Sequence, residues 1–195
     1  MAGGLEALIG KTIRKVMNAL KSVDYAFIGG VAVYAHGYRR STEDADVGIC
    51  APIRSLGALM ERGGFRYKGG IRFLDPETGV TVDLFRVPRK FLPFLQHPES
   101  KILDSFEVPV IPPEMLLAMK MRAGRGKDEA DVIELHKRHL KYDARRVSRW
   151  LADLEAAGDK GVRKRFDALK ERAKRELRDQ KRMEEEQLRD DGSEE

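Results

Sequence analysis

The sequence predicts an α/β (α+β) protein, with a mixed sheet flanked by helices and a helical region on its C-terminal side. Three observations predict this fold class. Short alternating apolar runs of strand length lie between residues 25 and 110, apolar residues recur at helical spacing around them, and only helical spacing continues beyond Pro112. We expect a core of residues 1–112, a helical region of residues 113–157 packed on that core, and a charged helical or disordered tail of residues 158–195.

The core segment divides into separate helix and strand patterns. Residues 5–20 carry apolar side chains every three or four positions, which is typical of a helix that packs on a sheet. An apolar strand at 25–28, a Gly29-Gly30 turn and a short helix ending at Gly37 follow. We then expect a strand that starts at Asp44, a helix at 56–61, and strands at 65–67, 71–74 and 80–85. Residues 87–113 are rich in proline, and there we expect irregular chain with one short strand at 107–110.

The C-terminal part is predicted to be helical. Pro113-Glu114 is a typical helix start, because proline fits the first turn and an acidic side chain stabilises it. Gly124 and Gly126 end this helix, and further helices are expected at 128–140 and 143–154. Residues 160–182 are mainly basic, whereas residues 184–195 are acidic. This pattern indicates a solvated helix that frays into a disordered tail, and an RNA-binding or self-associating arm is the alternative.

Two aspartates at the start of a predicted strand are the strongest sign of chemistry. Asp44 and Asp46 are two residues apart, so in a strand both side chains point to one face, roughly 7 Å apart. Two carboxylates held together repel each other unless a cation lies between them, and oxygen ligands of this kind suit Mg²⁺ or Mn²⁺. The alternative is that Asp44 caps a turn and Asp46 is a solvated strand residue.

A third aspartate interrupts another predicted strand. Asp83 lies in the alternating segment 80–85, whose opposite face is apolar. If this strand lies beside the one that carries Asp44 and Asp46, the third carboxylate joins the same site. Three carboxylates can hold two divalent ions about 4 Å apart, which is the arrangement used for in-line phosphoryl or nucleotidyl transfer. The alternative places Asp83 at a sheet edge.

The glycine turn and the loop before Asp44 carry groups suited to phosphate. Gly29-Gly30 permits a tight turn, and the helix that follows presents free N–H groups. Arg40 can pair bidentately with phosphate oxygens. Thr42 can position the loop or cap the turn. The alternative is an exposed basic loop.

Together these residues resemble the polymerase-beta-like nucleotidyltransferase superfamily. Its signature is a Gly-Gly or Gly-Ser after the first strand, an Asp-x-Asp on the next strand and a third Asp on a later one. Here Gly29-Gly30, Arg40-x-Thr42-x-Asp44-x-Asp46 and Asp83 match, with glycine where many small members have serine. The resemblance spans about residues 20–140 and implies the minimal nucleotidyltransferase fold. It also implies that Asp44, Asp46 and Asp83 bind metal and carry the catalysis, with Asp83 helping to activate the acceptor hydroxyl.

A later segment resembles the small members related to abortive-infection type IV toxin nucleotidyltransferases. Those carry a Lys, several residues, and then Arg-x-(Lys/Arg)-Asp-x-x-Asp. The segment from Lys120 to Asp131 matches this pattern, with Lys127 and Asp128 inside it. The resemblance implies that Lys120, Lys127 and Asp128 contribute to nucleotide binding. The residues alone leave a second interpretation open, in which Asp128 caps a helix and Asp131 complements its dipole.

Composition narrows the class of protein. The 195 residues, 42% of them hydrophobic, suffice for a core of ordinary size. A net charge of +5 suits an anionic substrate such as a nucleoside triphosphate or tRNA. The single cysteine cannot form an internal disulfide, and no apolar run of 18 residues is present. We therefore expect a cytoplasmic protein without membrane association.

The sequence thus predicts a metal-dependent nucleotidyltransferase that moves an NMP from an NTP, ATP among them, to a hydroxyl of an RNA or a protein. A tRNA 3′ end is the RNA acceptor that the resemblance suggests. The resemblance also implies a toxin–antitoxin setting with a partner protein, and it leaves the oligomeric state open. The competing interpretation is a non-catalytic nucleotide- or RNA-binding module that retains the fold.

Overall fold

A computed structural model describes residues 5–138 and 140–191 of the chain. The chain forms two compact units, one ending at Pro112 and the other beginning at Pro113. The predicted fold class is confirmed: the first unit carries a mixed sheet with helices packed on it, and the second unit is helical. The predicted tail, residues 158–195, is described as far as Asp191.

The first unit alternates helices and strands along the chain. Most of these elements were predicted, but the expectation of irregular chain at 87–113 is wrong in two places, where a short helix and an additional strand form. The elements are α1 (Leu5–Ala19), β1 (Tyr25–Phe27), α2 (Gly29–Ala35), β2 (Asp44–Ile49), α3 (Ile53–Arg62), β3 (Arg66–Gly69), β4 (Arg72–Leu74), β5 (Thr81–Arg86), a 3₁₀ turn (Arg89–Phe91), α4 (Leu92–Gln96), β6 (Glu99–Leu103) and β7 (Phe106–Val110).

The strands form one sheet in the order β3-β4-β5-β2-β1-β7-β6. The central strand, β2, pairs in parallel with β5 and antiparallel with β1. A parallel pair needs a crossover connection, which α3 and the β3–β4 hairpin supply. The sheet is therefore mixed, and its centre holds the two strands that carry the aspartates.

The core lies against one face of these central strands. Alternate residues of β2 and β5 are fully buried and apolar, namely Ala45, Val47, Ile49, Val82 and Leu84. By the same alternation, Asp44, Asp46 and Asp83 lie on the opposite face. A buried polar contact fixes α1 to the β4–β5 connection, because Thr12 and Lys15 both donate hydrogen bonds to Asp75, at 2.8 and 2.7 Å.

The second unit consists of α5 (Pro113–Ala123), α6 (Gly126–Lys137), α7 (Ala144–Ala156) and α8 (Val162–Asp191). The Asp143 side chain caps α7, since it accepts hydrogen bonds from the backbone N–H groups of Arg145 and Arg146. The first half of α8 buries an apolar stripe, Val162, Phe166, Leu169 and Ala173. This half of α8 therefore belongs to the core of the second unit.

No helix in the described part of the chain is both long enough and apolar enough to cross a lipid bilayer.

Candidate active site

The strands that carry the predicted acidic residues lie side by side. In the parallel β2–β5 pair, Asp46 is opposite Asp83 and Asp44 is opposite Thr81. Neighbouring strands are about 4.8 Å apart, and opposite residues point their side chains to the same face. Asp44, Asp46 and Asp83 therefore occupy adjacent positions on one face of the sheet. Asp83 is buried, whereas Asp44 and Asp46 are half-buried.

The glycine turn is shaped around one of these carboxylates. Gly29 has a φ of +58°, a conformation that side chains disfavour, and a Cβ atom there would lie 1.8 Å from Oδ2 of Asp46. A Cβ atom at Gly30 would lie 2.3 Å from Oγ1 of Thr42. The two glycines therefore admit Asp46 on one side and Thr42 on the other.

The loop before β2 joins the same cluster. The Thr42 hydroxyl lies 3.2 Å from the backbone oxygen of Asp44 and 3.3 Å from Oδ1 of the same residue, as a donor to both. Arg40 is half-buried two residues earlier, and its Nη1 donates to the backbone oxygen of Ser41 at 2.9 Å. The structure thus brings Gly29, Gly30, Thr42, Asp44, Asp46 and Asp83 together, with Arg40 on the adjoining loop.

One residue of this face was not predicted. Arg72 of β4 is opposite Asp83 of β5, and it binds both carboxylate oxygens, with Nε 3.1 Å from Oδ1 and Nη2 3.2 Å from Oδ2. The hydrogen bond to Asp83 raises the pKa of Arg72, and the negative charges of Asp83 and Asp44 add to this effect. The sequence held a signal for this contact, because counting back through the 75–80 turn places residue 72 opposite residue 83.

The carboxylate oxygens of the acidic residues are the type of ligand that a divalent ion prefers. Within residues 5–138 and 140–191, no three His, Cys, Asp or Glu side chains are grouped closely enough to hold a metal ion as they stand. The donor set nevertheless fits Mg²⁺ or Mn²⁺, because it consists of carboxylates on one face of the sheet. A site that includes all three carboxylates requires Asp83 to give up its contacts with Arg72.

The architecture is similar to that of several solved structures. The sequence matches no family model and no curated protein. Its structure is similar to an antigenic nucleotidyltransferase-like protein from Paracoccidioides brasiliensis, at 17% identity and a TM-score of 0.50, over 86% of this chain and 94% of that one. It is also similar to a candidate nucleotidyltransferase from H. pylori, at 14% identity and a TM-score of 0.50, over 94% of this chain and 99% of that one. The antibiotic-resistance factor ANT(2″)-Ia matches with a TM-score of 0.45 at 13% identity, over 95% of this chain and 100% of that one.

The chain has a nucleotidyltransferase-like fold. Identities below 20% establish the fold alone, and the reaction depends on the residues of the site.

The second unit holds the remaining predicted site residues. The Lys120 ammonium is buried and lies 2.9 Å from Oδ1 of Asp128 and 2.8 Å from Oδ2 of Asp131. Arg125 binds Asp128 through two further contacts, at 2.6 and 3.2 Å, whereas Lys127 is exposed. A role of Lys120, Lys127 and Asp128 in nucleotide binding stays a prediction.

This buried cluster also corrects the alternative view of Asp128. The N-cap position of α6 is taken by Arg125, and Asp128 lies in the first helical turn. Burial by itself raises the pKa of Asp128, but the hydrogen bonds from Arg125 and Lys120 outweigh it and hold the pKa below its ordinary value. Asp128 is therefore a charged partner of two cations and does not cap the helix.

Proposed function

We propose that this protein is a metal-dependent nucleotidyltransferase that transfers an NMP from an NTP to a hydroxyl group. The observation that carries the proposal is the strand register: Asp46 and Asp83 are opposite each other in neighbouring parallel strands, with Asp44 on the same face. Gly29 adds support, since its backbone lies directly beside the Asp46 carboxylate. Three acids on one sheet face repel one another, and a divalent cation offsets that cost.

The proposed reaction is an in-line displacement. The acceptor oxygen attacks the α-phosphorus, the bond between the α-phosphorus and the bridging oxygen breaks, and pyrophosphate leaves. Asp44, Asp46 and Asp83 would hold the divalent ion, which would stabilise charge on the phosphates, and Asp83 would accept the proton of the acceptor hydroxyl. The backbone of Gly29-Gly30, together with Arg40 and Thr42, faces the triphosphate. Lys120, Lys127 and Asp128 are further proposed nucleotide contacts.

A basic stretch within the second unit favours RNA as the acceptor. Residues 141–182 contain 15 Lys and Arg against 8 Asp and Glu. On α8, Lys170, Lys174, Arg178 and Lys181 follow at intervals of four, four and three residues, so they lie along one side of the helix. Lys174 and Arg178 of this row are exposed, and a row of cations on a helix suits contacts with successive phosphates.

Incubation of the full chain with labelled NTPs, Mg²⁺ and either total RNA or protein extract tests the proposal. We expect label in RNA, its loss on adding EDTA, and its loss in Asp44→Asn and Asp46→Asn, which keep the side-chain volume but remove the charge. Label in protein alone would move the acceptor to a protein hydroxyl. Nucleotide binding without transfer to either fraction would support the non-catalytic module and overturn the enzymatic proposal.

A toxin–antitoxin role is a separate part of the proposal and comes from the resemblance. It is tested by inducing the chain in a bacterial host and following growth. We expect growth arrest that depends on Asp44. Unaffected growth would exclude the toxin role but would leave the proposed nucleotidyl transfer unchanged.

A further inference from the structure

The third carboxylate of the proposed site is already bound to a cation of the protein itself. Both oxygens of Asp83 are held by the guanidinium of Arg72, at 3.1 and 3.2 Å. This fork geometry is the strong form of an arginine–carboxylate pair. The two partners differ in exposure, since the side chain of Arg72 is 60% exposed and that of Asp83 is 9% exposed. The guanidinium can therefore leave toward solvent, while the carboxylate stays in place.

The strand register explains why Arg72 and a metal ion would bind the same carboxylate oxygens of Asp83. Arg72, Asp83 and Asp46 lie opposite one another on three consecutive strands, β4, β5 and β2, and on one face. Arg72 thus flanks Asp83 on one side, and Asp46 flanks it on the other. An ion shared by Asp46 and Asp83 takes up an Asp83 oxygen that Arg72 now binds. One carboxylate cannot keep both bonds to the fork and also turn an oxygen pair toward the metal.

We propose, building on the proposed function, that Arg72 is a positioning residue that competes with the divalent ion for Asp83. Without metal, Arg72 holds the carboxylate and offsets the mutual repulsion of the three acids. When metal binds, Asp83 exchanges the guanidinium for the ion. Because the pair is largely solvent-exposed on the arginine side, the competition is modest, and we expect it to weaken metal binding by about three- to tenfold.

A titration of the full chain with Mn²⁺ tests this competition. Free Mn²⁺ is measured from its electron paramagnetic resonance signal, and no nucleotide is present. Arg72→Gln should bind Mn²⁺ about three- to tenfold more tightly than the wild type. Arg72→Lys keeps the charge but loses the two-pronged contact, so its affinity should fall between the two. Arg66→Gln is the matched control, because this exposed arginine lies on β3, the next strand out, opposite Leu74. Its Mn²⁺ affinity should equal that of the wild type.

The direction of the change in Mn²⁺ affinity distinguishes a competing role of Arg72 from a purely structural one. A structural arginine, when removed, leaves metal affinity unchanged or lowers it, and either result in Arg72→Gln would overturn the proposal. Misfolding cannot mimic a gain of affinity, and circular dichroism of each variant checks the fold. If the wild type binds Mn²⁺ and Asp46→Asn does not, but Arg72→Gln shows no gain, the metal site stands and the role of Arg72 fails. If neither the wild type nor any variant binds Mn²⁺, the proposed metal site and the proposed role of Arg72 are both wrong.

Discussion

Two glycines with the same positive φ show why the proposed site requires a residue without a side chain at position 29. Gly29 has a φ of +58° and Gly70 has a φ of +59°, so alanine at either position incurs the same backbone strain, about 1–2 kcal/mol. Their surroundings differ. A Cβ atom at Gly29 falls within 1.8 Å of the Asp46 carboxylate, whereas at Gly70 nothing lies within 4 Å. Only at Gly29 does the side chain displace a proposed catalytic group.

Gly29→Ala should therefore abolish most nucleotidyl transfer while the protein still folds. Moving a catalytic carboxylate by about 1 Å is enough to lower a rate roughly a hundredfold. Gly70→Ala is the control for the backbone strain, and it should lose about 1–2 kcal/mol of stability but keep wild-type turnover. Urea unfolding and transfer rates of both variants provide the measurement. Equal activity in the two variants would show that the contact with Asp46 does not matter to the reaction.

Residues of the site differ in how far the sequence alone could place them. Asp44 and Asp46 share a face because any strand alternates, so their relation follows from spacing of two. The position of Asp83 needed a pairing between distant strands, and the resemblance supported that expectation. Arg72 was missed because an arginine in an exposed strand is ordinary on its own. Its partner becomes apparent once residues 75–80 are taken as the turn of a hairpin, because the turn fixes the β4–β5 register.

At the scale of secondary structure, a buried charge cluster connects α5 to α6. Lys120 of α5 contacts Asp128 and Asp131 of α6, and all three side chains are almost fully buried. Breaking such a cluster from one side leaves uncompensated buried charge, which costs about 3–5 kcal/mol. Because the pKa of Asp128 is held below its ordinary value, its contribution is present above about pH 4 and declines as the pH falls through its folded-state value.

Lys120→Met should lower the free energy of unfolding by about 3–5 kcal/mol, because it removes the buried cation that Asp128 and Asp131 share. The variant Lys120→Met/Asp128→Asn/Asp131→Asn removes the charges together and should recover much of this loss. Urea denaturation of the three proteins at pH 7 makes the comparison. A Lys120→Met protein of wild-type stability with a raised KM for NTP would contradict the structural role and support the predicted nucleotide contact.

The elements that were missed show where local patterns fail. β6 begins with Glu-Ser-Lys and lies at the sheet edge, so it lacks the apolar alternation that predicts a strand and forms through its hairpin with β7. α4 spans five residues and contains Pro93 in its first turn, where proline is tolerated, but a run that short has no periodicity to detect. The longer elements were predictable because each shows one repeated spacing over several residues.

At the scale of the whole molecule, charge is distributed unevenly along the chain. The excess of basic residues in 141–182 is followed by seven acidic residues against one arginine in 184–195. Lys170, Lys174, Arg178 and Lys181 form a row along α8, which we call the α8 row. Like charges four residues apart destabilise a helix slightly, and the first three members of the row have this spacing. A polyanion bound along this row would convert the repulsion into attraction and release counterions.

Neutralising part of the α8 row should weaken RNA binding and change its salt dependence. For the variant Lys174→Gln/Arg178→Gln/Lys181→Gln, we expect affinity for single-stranded RNA to fall and the slope of log K against log salt to flatten by about 2, since each lost phosphate contact contributes about 0.7. Fluorescence anisotropy from 50 to 200 mM salt measures both. The matched control, Arg66→Gln/Lys68→Gln/Lys90→Gln, removes the same charge from exposed positions of the first unit and should leave the slope unchanged. If both triple variants lose affinity equally, net charge alone governs binding, and the α8 row is not the RNA-binding surface.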